Sequence, residues 1–197
     1  MKGLPFPVEY SLRPLNRETT DEHFLDDFCR TQFVRRQWRD TPQGLLLVED
    51  AYVHDWPLQR RREKARHLLE EGFVSEGLIP RGKGDSFPLR PMAWYSLRKE
   101  PIGTRLQLET LMVSAPWRGM GLGSLLISRA MEKARASGAT SLYISACPAE
   151  ETVAFYRAMG AVISPDPILE CVSFQPKDLQ MEIFLTGDSE KEDSRGR

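Results

Sequence analysis

The eight residues Trp117-Arg118-Gly119-Met120-Gly121-Leu122-Gly123-Ser124 carry the strongest chemical signal in the chain. Glycines let the main chain turn sharply and approach a ligand with no Cβ in the way. A helical pattern opens at Gly121, and the first N–H groups of a helix lack intrahelical partners and sit at the positive end of its dipole. Together these features suit an anion such as a pyrophosphate. Spacing narrows the choice of ligand. A dinucleotide fingerprint needs G-x-G-x-x-G, but from Gly119 and Gly121 the third glycine arrives one residue early, at Gly123. A P-loop needs a lysine ahead of its Ser or Thr, and Gly123-Ser124 has none.

Such a cradle works only if rigid elements hold it. The apolar stretch Leu106 to Val113 reads as a strand leading into it, and Leu122, Leu125, Leu126, Ala130 and Ala134 form a core-facing helical stripe behind it, ending near Ser137-Gly138. Upstream, Phe73 to Ile79 and Met92 to Lys99 read as two further strands of an antiparallel meander. They are separated by a turn at Arg81-Gly82-Lys83-Gly84-Asp85. Downstream, Ser141 to Ala146 reads as a strand, and Glu150 to Met159 as a helix stopped by Gly160. Two late strands, Ala161 to Ser164 and Gln180 to Leu185, flank a Pro-rich connection. The N-terminal third begins with a strand at Tyr10 to Leu15, then a helix opened by Thr19-Thr20-Asp21 over Phe24, Leu25 and Phe28. Apolar spacing through Phe33, Val34 and Trp38 predicts a second helical piece closed by Pro42. Gly44 to Val48 reads as a short strand, and Asp55 with Pro57 opens a charged helix, Leu58 to Glu71. Its Arg60-Arg61-Arg62 cluster, interleaved with Glu63, Glu70 and Glu71, reads as a solvated face.

A chain of 197 residues suits one domain, expected over residues 1–187, with the polar stretch 188–197 as a disordered tail. Twenty-seven basic against 28 acidic residues leave a net charge of −1, which argues against nucleic acid or an anionic membrane as partner. Cys29, Cys147 and Cys171 are scattered and odd in number, so reduced thiols in a cytoplasmic protein are expected and a metal site is not. The start, with Lys2 followed by Gly3-Leu4-Pro5-Phe6-Pro7, lacks a signal-peptide core, and no apolar run approaches membrane-spanning length.

Arg118, Gly121 and Gly123 form R-x-x-G-x-G, and Val153-Ala154-Phe155-Tyr156-Arg157-Ala158-Met159-Gly160-Ala161 follows after a strand and the start of a helix. Both segments, with the order of elements around them, resemble the GNAT superfamily of acyl-CoA-dependent N-acetyltransferases. The Tyr-Ser-Leu-Arg-Pro-Leu start, Val53-His54-Asp55-Trp56 and Tyr143-Ile144-Ser145-Ala146 look most like bacterial members of the Firmicutes type, a likeness that names no substrate. The resemblance implies an α/β fold: a mixed, mostly antiparallel sheet, splayed between its fourth and fifth strands, with helices on both faces. It departs from the family pattern at three positions, where Ala149 stands for an asparagine, Thr152 for an alanine, and Ala161 for an aromatic residue.

The resemblance further implies acetyl-CoA as cosubstrate, with no metal. Its diphosphate would lie against Arg118, Gly119, Met120, Gly121, Leu122, Gly123 and Ser124, and its thioester against a strand bulge near Leu111, Met112 and Val113. Tyr156 stands where the family's general acid stands; a phenol with a reference pKa of about 10 stays protonated at neutral pH and can donate to a thiolate. Packing within its helix is the competing reading. Glu109 would share a strand face with Gln107 and Leu111, as the base, as an orienting group for the amine, or as a satisfied polar position. The three histidines are assigned no role, and packing is the better reading of Cys147. The expected reaction is acetyl transfer to a primary amine, small molecule or protein, by direct attack; a homodimer is compatible with it. A non-catalytic acyl-CoA-binding module is the alternative.

Overall fold

A computed structural model describes residues 9–70, 72–82 and 87–185. The expected tail 188–197 and the interior of the turn at 81–85 lie outside them. In chain order the elements are β1 (Tyr10–Pro14), β2 (Gln32–Thr41), β3 (Gly44–His54), α1 (Leu58–Leu68), β4 (Phe73–Pro80), β5 (Ala93–Arg98), β6 (Arg105–Val113), α2 (Leu122–Ala136), β7 (Ser141–Ala146), α3 (Glu150–Ala158), β8 (Val162–Ile163), α4 (Leu169–Phe174) and β9 (Leu179–Phe184). Seven strands make one sheet in the order β1-β4-β5-β6-β7-β9-β8, while β2 and β3 form a separate hairpin. Every pairing in the large sheet is antiparallel except β6 with β7. The fold is therefore the mixed, mostly antiparallel α/β arrangement expected.

Alternation along β4 and β5 covers the sheet on both faces. Leu78, Ala93 and Tyr95 pack with Leu126, Ile127 and Ala130 of α2, whereas Ile79 and Trp94 pack on the other side with Phe24, Leu25 and Ala65. Each fully buried Leu or Ile contributes about 1.5–3 kcal/mol, so the α2 stripe is a main source of stability as well as the mount of the cradle. No helix among the described residues is long and apolar enough to cross a membrane.

The N-terminal third departs from expectation. Residues 19–28 form successive turns closed by bonds such as Phe24 N–H to Asp21 O (3.2 Å) and Phe28 N–H to Leu25 O (3.0 Å), without a helix. The expected helical piece through Trp38 is strand β2, which pairs with β3 from Gln32↔His54 to Thr41↔Gly44. Pro42 is thus a hairpin corner, and Gly44, at φ +101°, supplies the conformation that closes it. The strand expected to stop at Val48 runs to His54 because its partner runs equally far. The Pro-rich connection holds the short helix α4, which had no periodic signal.

The Arg60-Arg61-Arg62 cluster is only partly a solvated face. Arg61 donates to the carbonyls of Asp26 (2.5 Å) and Phe28 (3.2 Å), and Arg62 pairs with Asp26 at 2.9 Å, so two of the three arginines tie α1 to the turn segment. The hydrogen bond from Arg62 holds the Asp26 carboxyl at about 2.

Candidate active site

A 3-10 turn at Ala115–Trp117 ends β6, and the chain then enters α2 through Gly119 and Gly121, both at φ +76°. A Cβ on either would meet nothing within 4 Å, so these glycines are required by conformation and not by space. Gly123 is in a tight position: its Cβ would lie 3.2 Å from the Phe155 ring of α3, which would have to shift by a few tenths of an ångström. The first intrahelical bond runs from Leu125 N–H to Gly121 O (3.1 Å), and no side chain caps the helix. The N–H groups of Leu122, Gly123 and Ser124 therefore keep their donor capacity for a ligand. The Met120 side chain packs against the main core.

Arg118 has a structural role beside the one the resemblance implies. Its guanidinium donates to the carbonyls of Val113 (3.0 Å), Thr31 (2.6 Å) and Arg30 (2.9 Å), stitching the end of β6 to the segment that leads into β2. Its side chain is thus committed to backbone, leaving the N–H groups of the loop as the anion ligands. Replacing it by alanine strands three carbonyls. Because the group is partly solvated we expect a loss of about 2–4 kcal/mol, below the roughly 4.5–9 kcal/mol of three fully desolvated charged hydrogen bonds. Denaturant unfolding in the absence of ligand measures it; an unchanged midpoint would return Arg118 to a purely ligand-binding role.

The strands beside the cradle separate. β6 and β7 pair from Arg105↔Ser141 to Leu108↔Ile144, and beyond Leu108 no strand among the described residues pairs with β6 on that side. The bulge lies at Glu109, between the pairs Leu97↔Leu108 and Ser96↔Thr110, and not at the expected Leu111 to Val113. One extra residue reverses the alternation. Leu106 and Leu108 belong to the α2-side core, and past the bulge Leu111 and Val113 return to that side while Met112 packs with the α1-side cluster. Leu111 therefore does not share the face of Gln107 and Glu109, as a regular strand would require. The gap opens into a cavity of about 1060 Å³ lined by Leu111, Met112, Val113, Arg118, Gly119, Gly121, Leu122, Gly123, Ser124, Glu109 and Tyr156. All the expected site residues except Met120 thus face one space.

Tyr156 is 7% exposed, and among the described residues its hydroxyl has no hydrogen-bond partner. Burial raises the phenol's pKa, with the nearby Asp178 charge acting in the same sense, so it stays protonated. Glu109 is engaged differently: Lys64 of α1 donates to it at 2.6 Å and His67 lies 3.8 Å away. Trp56 lines the cavity, whereas Trp94 is fully buried, Arg157 covers Trp38 at 4.7 Å, and Phe174 is 75% exposed.

Several lining residues carried no sequence signal. Arg30 is 5% exposed, donates to Gln32 Oε1 and His54 Nδ1 at 3.2 Å each, and lies over Trp56. Burial, with Arg30 adding to it, pushes His54 down to about 4, so the ring is neutral and its Nδ1 accepts. Cys147 lies 3.9 Å from both His54 Nδ1 and the Tyr52 hydroxyl. Asp178 sits on the turn before β9, and burial raises its carboxyl to about 6. Long separations hide this group: the hairpin meets the β7–α3 loop through Trp38 N–H to Pro148 O (2.8 Å) and a bridge between Gln37 and Ala149. No cluster of three metal-ligating side chains occurs among the described residues.

The family model described as acetyltransferase (GNAT) matches residues 18–161. Among solved structures, the chain resembles a nourseothricin acetyltransferase (TM-score 0.65, 17% identity, 90% of this chain and 99% of that one). It resembles equally a Bacillus anthracis protein described as a streptothricin acetyltransferase and solved with acetyl coenzyme A (0.62, 12%, 90% and 99%). An Escherichia coli ribosomal-protein-alanine N-acetyltransferase also superposes (0.57, 12%, 93% and 98%). No curated protein matches the sequence.

Proposed function

The chain belongs to the acetyltransferase (GNAT) family, and from that premise we propose that it transfers an acetyl group from acetyl-CoA to a primary amine by direct attack. One observation carries this reading: the uncapped N–H groups of α2, the unpaired edge of β6 past Leu108 and the unpartnered hydroxyl of Tyr156 open into a single cavity. These residues fit acetyl-CoA as substrate. Gly119, Gly121, Leu122, Gly123 and Ser124 would hold its diphosphate through main-chain N–H groups, and Leu111 to Val113 would offer main-chain groups to the thioester arm.

Tyr156 donates a proton to the departing thiolate, a step supported by its protonated phenol, which has no hydrogen-bond partner among the described residues. Its acid role thus rests on the free hydroxyl as well as on the motif. The neighbours' descriptions span an antibiotic and a protein α-amine, so the common fold does not select the acceptor. Three free cysteines suit a cytoplasmic setting.

Thiol release from acetyl-CoA by the purified protein, measured against simple amines, aminoglycoside and streptothricin-type antibiotics, and N-terminal peptides, tests the proposal. Release with at least one amine is expected. Tight coenzyme A binding with no release for any amine would instead select the non-catalytic acyl-CoA-binding module.

A further inference from the structure

An ammonium must lose a proton before it can attack a thioester, and three carboxylates line the cavity: Glu109, Glu151 and Asp178. Glu109 already holds Lys64 at 2.6 Å and accepts from Gln107 at 3.4 Å. Glu151 is exposed in the first turn of α3, where water competes for its carboxylate. Asp178 differs from both. It is half-buried, and among the described residues its carboxylate has neither a hydrogen bond nor an ion pair.

Its position is fixed by backbone. The Asp178 N–H donates to Gln175 O (3.1 Å), its carbonyl accepts from Gln180 Nε2 (3.2 Å), and the β7–β9 ladder ends at Ala146↔Leu179. That sets Asp178 beside Cys147 at the open end of the splay, near enough for its charge to act on both Tyr52 and Tyr156. A desolvated carboxylate with no partner, facing a cavity beside the general acid, is costly to keep unless a cationic ligand completes it.

We propose that Asp178, and not Glu109, binds the acceptor's ammonium and takes its proton; this rests on the amine acetyltransferase reading above. The neutral amine attacks the thioester carbon, forming the C–N bond. Collapse breaks the C–S bond with its electron pair passing to sulfur. The first ammonium proton goes to Asp178 and on to water, and the second N–H proton replaces the one Tyr156 gives to sulfur. The net products are an amide, a free thiol and one proton.

The ionisable groups around Asp178 are Tyr52 of β3, Tyr156 of α3, Cys147 after β7 and Lys177 on its own turn. Farther along β3, Asp50 is held by Arg39 and Gln37, and Arg30 and His54 line the same cavity. No carboxylate among these is free to replace it. Burial raises its carboxyl to about 6, ionised at neutral pH but more basic than an exposed aspartate.

The test compares wild type, Asp178→Asn and Glu109→Gln with acetyl-CoA and the best amine from the panel. Wild-type kcat/KM is expected to rise with pH through about 6. Asp178→Asn should lose about 10²-fold or more in kcat/KM and abolish that acid limb, with coenzyme A affinity unchanged. Glu109→Gln, whatever its rate, should keep the limb. Thermal unfolding supplies an independent readout. A folded-state pKa raised from 3.8 to about 6 means the ionised carboxylate opposes folding above that range. Asp178→Asn should therefore raise Tm at pH 7, with the gain fading towards pH 4. Wild-type turnover combined with an Asp178→Asn variant of unchanged rate and limb overturns the assignment alone. A limb lost in Glu109→Gln instead returns the role to Glu109. A wild type that acetylates no amine overturns the functional reading and this assignment with it.

Discussion

Replacing Tyr156 by Phe is expected to lower turnover by about 10²–10⁴-fold, the usual contribution of a positioned general acid. The substitution keeps the ring that packs 5.1 Å from Phe155 and deletes only the hydroxyl, which has no partner among the described residues. The buried phenol is held protonated, so at every pH of interest it is a donor and never a competing base. Coenzyme A affinity should hardly change, because the anion cradle lies on α2, and stability should hold, because the packed ring is kept and no hydrogen bond within the protein is lost. Steady-state thiol release paired with equilibrium coenzyme A binding separates the two effects. A variant within a few-fold of wild-type rate would reduce Tyr156 to a packing residue.

The second large effect is expected at Gly121. At φ +76° a valine there is strained by roughly 1–2 kcal/mol, more than an unbranched residue. Relaxing that strain rotates the first turn of α2 and with it the N–H groups of Leu122, Gly123 and Ser124. Gly121→Val should therefore weaken coenzyme A binding about tenfold or more, as 1.4 kcal/mol is tenfold in Kd. Gly138, at φ +79° beyond the other end of the same helix, is the matched control. Gly138→Val should lose comparable stability with coenzyme A affinity intact. Equal affinity losses in both variants would mean that helix stability, and not cradle geometry, sets binding.

The parts of the fold visible in the sequence were those whose apolar period matched their burial. The α2 stripe buries Leu122, Leu126, Ala130 and Ala134, though not Leu125, which is 43% exposed, and the meander and β7 lie within a residue or so of their expected bounds. The hairpin was misread because Phe33, Val34 and Trp38 fall at helical spacing, yet Phe33 is 75% exposed. Its strands belong to a separate sheet, so their burial follows from docking on the β7–α3 loop rather than from period two. The cradle was legible because positive φ and close approach demand glycine itself. Arg118 was legible as a residue but not as a stitch, since its carbonyl partners at residues 30 and 31 are distant in sequence. Asp178 gave no local sign, because what distinguishes it is desolvation, which only the assembled cavity produces.

The bulge at Glu109 makes the length of β6 matter more than its composition. Upstream and downstream halves of that strand obey opposite parities around one supernumerary residue. Many exchanges of one apolar residue for another on either half leave that phase untouched. Inserting a single residue between Leu108 and Leu111 would do what no single exchange can, turning Leu111 and Val113 towards α1 and Met112 towards α2, whereas deleting Glu109 would erase the bulge and keep their present sides. Heritable variation in this segment is thus constrained in residue count before it is constrained in residue type.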